Sequence, residues 1–158
     1  MRQARSDLNA AALASLGAAM IVTAAHLSEP FAHGIWLIAY LVLVGFLAQI
    51  LLGRGQVELL VAAGLPFPSR EIRVAQATLW NVGVIAVPLG VFIETRLAVV
   101  LGSVSLLTAL ASLWKTVRTA IMTITPRKRR GLSYAALLIS MAVSVLAGLA
   151  LGWDIPWV

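Results

Sequence analysis

Two imidazoles and a carboxylate fall within eight residues of one another, as His26, Glu29 and His33. They include both histidines of the chain, and His26 and Glu29 are three apart, a helical spacing that puts them on one face. Pro30 breaks a helix at this point, and a tight turn then brings His33, which opens the next helix, to a similar depth. Two imidazoles and a carboxylate at one level can bind copper or zinc, and two facing imidazoles can hold the iron of a haem b. In that reading His26 and His33 are the metal or haem ligands and Glu29 is a further ligand or orients one of them. Trp36 and Tyr40 follow His33 on one helix face and would line a flat cofactor. The plain alternative is that both histidines are ordinary side chains at a water interface.

Other chemistries have no residues to carry them. There is no Gly-rich phosphate loop, Ser-His-Asp triad, HExxH motif or acidic metal-binding helix pair, so no independent catalytic activity is expected. The absence of cysteine removes disulfides, thiolate ligands and a cysteine nucleophile.

The elements that must position these residues are membrane spans. Of the 158 residues, 61% are hydrophobic and 11% charged, and the mean hydropathy is +0.97. A water-soluble domain of this length has no core large enough to hide that much apolar surface. The expected fold is an all-α integral membrane protein, a bundle of five transmembrane helices forming a single transmembrane domain over residues 1–158. The spans fall at about 8–28, 33–53, 70–93, 96–124 and 132–152, each apolar without a period-2 pattern. Met1, Arg2 and Arg5 resemble the start of a cleavable signal, but the apolar run behind them is near spanning length and reads as the first helix. Between spans two and three the connection 54–69 holds a short apolar segment, 57–63, expected to lie along the membrane surface. Gly64, Pro66 and Pro68 break the chain there, and Ser69 stands at the N-cap of span three with Glu71 in its first turn. Pro88 should kink that span.

Orientation follows from the cations. Arg2, Arg5, Arg54, Arg70, Arg73, Lys115, Arg118, Arg127, Lys128, Arg129 and Arg130 lie on alternate connections, and only Arg96 lies on the other side. The positive-inside tendency puts the N-terminus in the cytoplasm and the C-terminus outside, in what reads as the cytoplasmic membrane of a prokaryote. The outer side then carries His26, Glu29, His33, Glu94, Arg96 and Asp154, with Trp36, Trp153 and Trp157 near the interface. Arg127, Lys128, Arg129 and Arg130 lack interleaved aromatics, which argues for anionic lipid headgroups and against nucleic acid as their partner.

Two further patterns concern packing. In span five Ala136, Ser140, Ser144, Gly148 and Gly152 are each four residues apart and form a stripe of small side chains. Span one has similar stripes in Ala10, Ala14 and Ala18 and in Ala11, Ser15 and Ala19, and span four offers Ala98 and Gly102. Such stripes serve close helix approach, either within the bundle or against a partner. At the inner level, Gln49 on span two matches the depth of Gln76 and Asn81 on span three, which predicts an interhelical polar contact. At 3.6 residues per turn Gln49 lies about 160° around the helix from His33, so the two polar sites serve different surfaces.

The reading that fits these residues best is a small polytopic membrane subunit or accessory protein that packs with another membrane protein or as a homo-oligomer. A haem- or copper-binding redox protein using His26 and His33 is the first alternative. A small transporter or channel working as an oligomer is the second, set back by the apolar middle of spans two and three. The topology is directly testable: a reporter fused after Val158 is expected to be active on the outer side, and a cytoplasmic signal would refute the five-span threading.

Overall fold

A backbone in hydrocarbon has no water to bond with, so each spanning segment must satisfy its own N–H and C=O groups, and the helix does this within one segment. The computed structural model describes residues 2–123 and 128–154, with side chains over 11–123 and 131–149. Among them all regular structure is helical: α1 (Arg2–Ser28), α2 (Gly34–Ala63), α3 (Arg70–Phe92), α4 (Arg96–Thr123) and α5 (Lys128–Asp154). Five stretches are long and apolar enough to cross a membrane, namely Ala11–Ser28, Gly34–Ala63, Arg70–Phe92, Arg96–Thr123 and Gly131–Leu149, the architecture of an integral membrane protein.

The chain divides into two compact units, with the boundary inside α2 between Arg54 and Gly55. In the first, α1 packs on residues 34–48 of α2. The stripe of Ser15 and Ala19, joined by Ala12, is the buried face of α1, and the Ser15 Oγ donates back to the Ala11 carbonyl at 3.2 Å. Ala14, on the neighbouring stripe, is exposed. On α2 the small residues Gly45 and Ala48 are buried within a stretch of wider, π-type winding, Leu41–Ala48. Across these eight residues the step of about 100° per residue does not hold, so the angle between His33 and Gln49 drawn from 3.6-residue periodicity does not apply.

In the second unit α3 packs on α4 and α4 on α5. The α3–α4 seam is set by glycines. A Cβ on Gly83 would collide with the Leu106 side chain, and one on Gly90 would come within 2.7 Å of the Val99 backbone nitrogen. One on Gly102 would sit 2.8 Å from the Val87 nitrogen. The two backbones approach at both ends of this seam to a distance only glycine allows, and Ser105 Oγ adds a 2.8 Å bond to the Leu79 carbonyl across it.

Helix ends follow from local chemistry. The Ser69 Oγ accepts from the Ile72 N–H at 3.4 Å and caps α3. α2 does not stop at residue 53 but runs on to Ala63, so residues 57–63 are its last two turns and not a separate surface segment. Gly53 and Gly55 are too weak to break a helix, and no proline follows until Pro66. The stop comes at Gly64, in the left-handed region at φ 65. There the Leu65 N–H donates to the Leu60 carbonyl at 3.0 Å and the Gly64 N–H to the Val61 carbonyl at 3.1 Å. α3 ends in the same motif, with Thr95 N–H on the Gly90 carbonyl at 2.8 Å and Glu94 N–H on the Val91 carbonyl at 3.4 Å. Here the left-handed position is filled by Glu94, at φ 54.

The matched pair yields a prediction of opposite signs. Glu94→Gly relieves a left-handed side chain and should stabilise the protein by about 1 kcal/mol, whereas Gly64→Ala should destabilise it by a similar amount. Thermal unfolding in detergent reads both, as a raised midpoint for the first variant and a lowered one for the second.

Candidate functional site

The turn between α1 and α2 is built around His26. Its Nδ1 accepts the Phe31 backbone N–H at 3.2 Å. The Phe31 ring stands edge-on to the imidazole, with centroids 5.1 Å apart and an interplanar angle of 88°. Gly34 lies directly beneath, so close that a Cβ there would collide with Nδ1. His33 adopts the left-handed conformation at φ 62 just before α2. Its carbonyl accepts the Leu37 N–H at 2.9 Å, the first turn of the new helix. His26 is half-buried, while Glu29 and His33 are exposed.

This geometry bears on the ligand reading. A neutral imidazole whose Nδ1 accepts a hydrogen bond carries its proton on Nε2, so neither nitrogen keeps a lone pair for a metal. Ligation through His26 would cost either the Phe31 bond or the Nε2 proton. Among the described residues, no three His, Cys, Asp or Glu side chains gather in a group that could hold a metal ion, so His26, Glu29 and His33 are neighbours in sequence without forming a ligand cluster. Trp36 and Tyr40 do share a face, and they stack on each other with centroids 5.4 Å apart and planes 26° apart.

A polar network occupies the second unit. Gln76, buried on α3, donates from Nε2 to Ser112 Oγ at 3.1 Å and to Thr116 Oγ1 at 3.2 Å, both on α4. Thr116 in turn donates to the Ser112 carbonyl at 2.8 Å. On the other side Gln56, also buried, donates from Nε2 to Gln76 Oε1 at 3.5 Å. The last turns of α2 are thus tied to α3, and Leu59 and Leu60 are buried alongside. Next to Gln56, Gly55 receives the ring of Tyr134 from α5, and a Cβ at Gly55 would strike that ring. Asn81 donates to the Ala77 carbonyl of its own helix at 2.8 Å. Gln49 is buried in the first unit. Nothing in the sequence alone singles out Gln56, Ser112 and Thr116, because Gln56 follows Arg54 in what reads as a connection and hydroxyls at four-residue spacing look like ordinary helix residues. The one trace is spacing: Gln49 and Gln56 are seven apart, two turns on one face.

The small-residue stripe of α5 lies on the side away from its packing. Gly131, Tyr134 and Leu138 are buried, and a Cβ at Gly131 would meet Ile121 of α4 at 3.3 Å. Ala136, Ser140, Ser144 and Gly148 are all exposed, and a Cβ at Gly148 would meet nothing within 4 Å. The Ser144 hydroxyl donates to the Ser140 carbonyl at 2.8 Å, which satisfies it without a neighbouring helix. Gly152 and the side chains of Arg127, Lys128, Arg129 and Arg130 lie outside the residues whose side chains are described. Comparison with protein-family models, curated proteins and solved structures finds no match to this chain.

The polar network supplies the prediction here. Gln76→Leu removes both bonds to α4 and strands the Gln56 donor, and should lower stability by about 1–2 kcal/mol in a denaturant titration in mixed micelles. Ser112→Ala, which takes away one of two acceptors, should cost less. Equal and negligible losses would show that the network does not hold the helices together.

Proposed function

We propose that this chain is a small polytopic membrane subunit or accessory protein that assembles, through the small-residue stripe of α5, with another membrane protein or with further copies of itself. The single observation that carries this reading is the exposure of Ala136, Ser140, Ser144 and Gly148 along a helix whose opposite face is already used. Large apolar side chains turned towards lipid are ordinary. A run of small ones is different, because acyl chains fill its groove poorly while another helix can enter it and bring the backbones close. The proposed setting is the cytoplasmic membrane of a prokaryote, N-terminus inside. The lopsided cation distribution supports that orientation, and anionic headgroups are the natural partners of the basic connection before α5.

Purification in mild detergent with mass measured by light scattering tests this. The wild type should run as a homo-oligomer or with a stoichiometric partner, and Ser144→Leu should return it to a helical monomer. Ile139→Ala, on an exposed position outside the stripe, should leave the assembly intact. A wild-type monomer with nothing bound, or an assembly indifferent to Ser144→Leu, would overturn the proposal.

A further inference from the structure

We propose that the cationic end of the α4–α5 hairpin seats one anionic phospholipid, its phosphate held by Arg118 beside the first turn of α5 and its chains lying along Trp114. The seat rests on the reading that the basic connection before α5 meets anionic headgroups, and gives that contact a definite place. The charge pattern calls for it. From residue 97 to residue 153 the chain has no Asp or Glu, yet Lys115, Arg118, Arg127, Lys128, Arg129 and Arg130 all fall at one end of this hairpin. Their counter-charge has to come from outside it. Among the described residues neither Lys115 nor Arg118 meets a carboxylate, and Glu58 and Glu71, on α2 and α3, are exposed.

Depth and geometry identify the occupant. Arg118 lies 22 residues beyond Arg96 on α4, about 33 Å of helix against about 30 Å of hydrocarbon, so the two cations mark opposite headgroup levels. Trp114, 40% exposed, stands one turn before Arg118 on the same face, at the depth where an indole meets the glycerol region and the upper acyl chains. Arg118 is also three residues from Ile121, and a Cβ on Gly131 would meet Ile121 at 3.3 Å, so the start of α5 lies against α4 close to the guanidinium. Lys128, Arg129 and Arg130 occupy that first turn, where the helix dipole favours acids and opposes cations. A phosphate there offsets both. The planar guanidinium of Arg118 can take two phosphate oxygens at once. A free phosphate gains those bonds alone, whereas a phospholipid also covers the Trp114 ring. Gly131 belongs to the packed face of α5, so this seat is separate from the small-residue stripe.

Native mass spectrometry of the full chain in mild detergent, titrated with phosphatidylglycerol or with phosphatidylcholine of the same acyl chains, provides the test. The wild type should bind one phosphatidylglycerol about five-fold more tightly than phosphatidylcholine, or better. Arg118→Gln should weaken phosphatidylglycerol about five-fold, the share of one cation at an anionic surface, and leave phosphatidylcholine unchanged. Arg70→Gln, which removes an exposed cation from α3, should alter neither. Trp114→Ala should weaken both lipids, and excess inorganic phosphate should not displace them. Ser144→Leu should keep its lipid as a monomer, so the seat and the assembly through α5 can fail separately. Equal wild-type affinity for the two lipids would overturn the seat even if the variants failed to fold. So would an Arg70→Gln loss matching that of Arg118→Gln, displacement by inorganic phosphate, or loss of the lipid from Ser144→Leu.

Discussion

Lipid is as apolar as leucine, and the association of helices inside it therefore gains little from burying side chains that were never in water. What remains is close backbone approach and the pairing of polar groups that have no better partner. The α3–α4 seam is the fullest use of the first. Gly83 and Gly90 on one helix and Gly102 on the other each sit where a methyl group would strike the facing helix. The resulting proximity lets Ser105 reach the Leu79 carbonyl. Around this seam the rest of the second unit is arranged, with α5 on α4 through Gly131 and Ile121.

The polar groups do the second job. Gln76 alone bonds to Ser112 and Thr116 of α4 and receives Gln56 from the end of α2. Each bond is weak by itself, but an amide of this kind has few other partners at that depth, so the arrangement is specific beyond its energy. The length of α2 makes it possible. A helix of 30 residues is about 45 Å long, and while residues 34–48 pack on α1, residues 55–63 belong to the second unit.

The five spans were legible in the sequence because an apolar run of about 20 residues has few other meanings, and the end of the first and start of the third because Pro30 and Ser69 act locally. The end of α2 was not. Arg54 and Glu58 look like a chain leaving the membrane, yet charge does not stop a helix, and the breaker is Gly64, ten residues beyond Arg54. The π-type winding of residues 41–48 left no mark in composition, and it upsets any angle counted across it. The glycine seam was half visible. Ala98 and Gly102 stand four apart, but Gly83 and Gly90 are seven apart on a helix that also holds a buried Pro88. For α5 the stripe was plain and its direction was not, since small residues pack equally well inside a unit or outside it. Tyr134 settles that direction by occupying the space over Gly55. For His26 the residue type left a ligand and an ordinary interfacial side chain both open, and its partner is a backbone N–H five residues ahead that no side-chain pattern reveals.

The central claim is that the exposed stripe of α5 is a surface for assembly. The chain contains no cysteine, so one introduced residue gives a unique cross-linking position. The most direct measurement is disulfide and short-linker cross-linking in native membranes of single cysteines placed along α5. Cysteines at positions 136, 140, 144 and 148 should give adducts of one defined mass, while those at the exposed but off-stripe positions 139 and 146 should not. Adducts at all six positions alike, or at 139 and 146 in preference to the stripe, would contradict it.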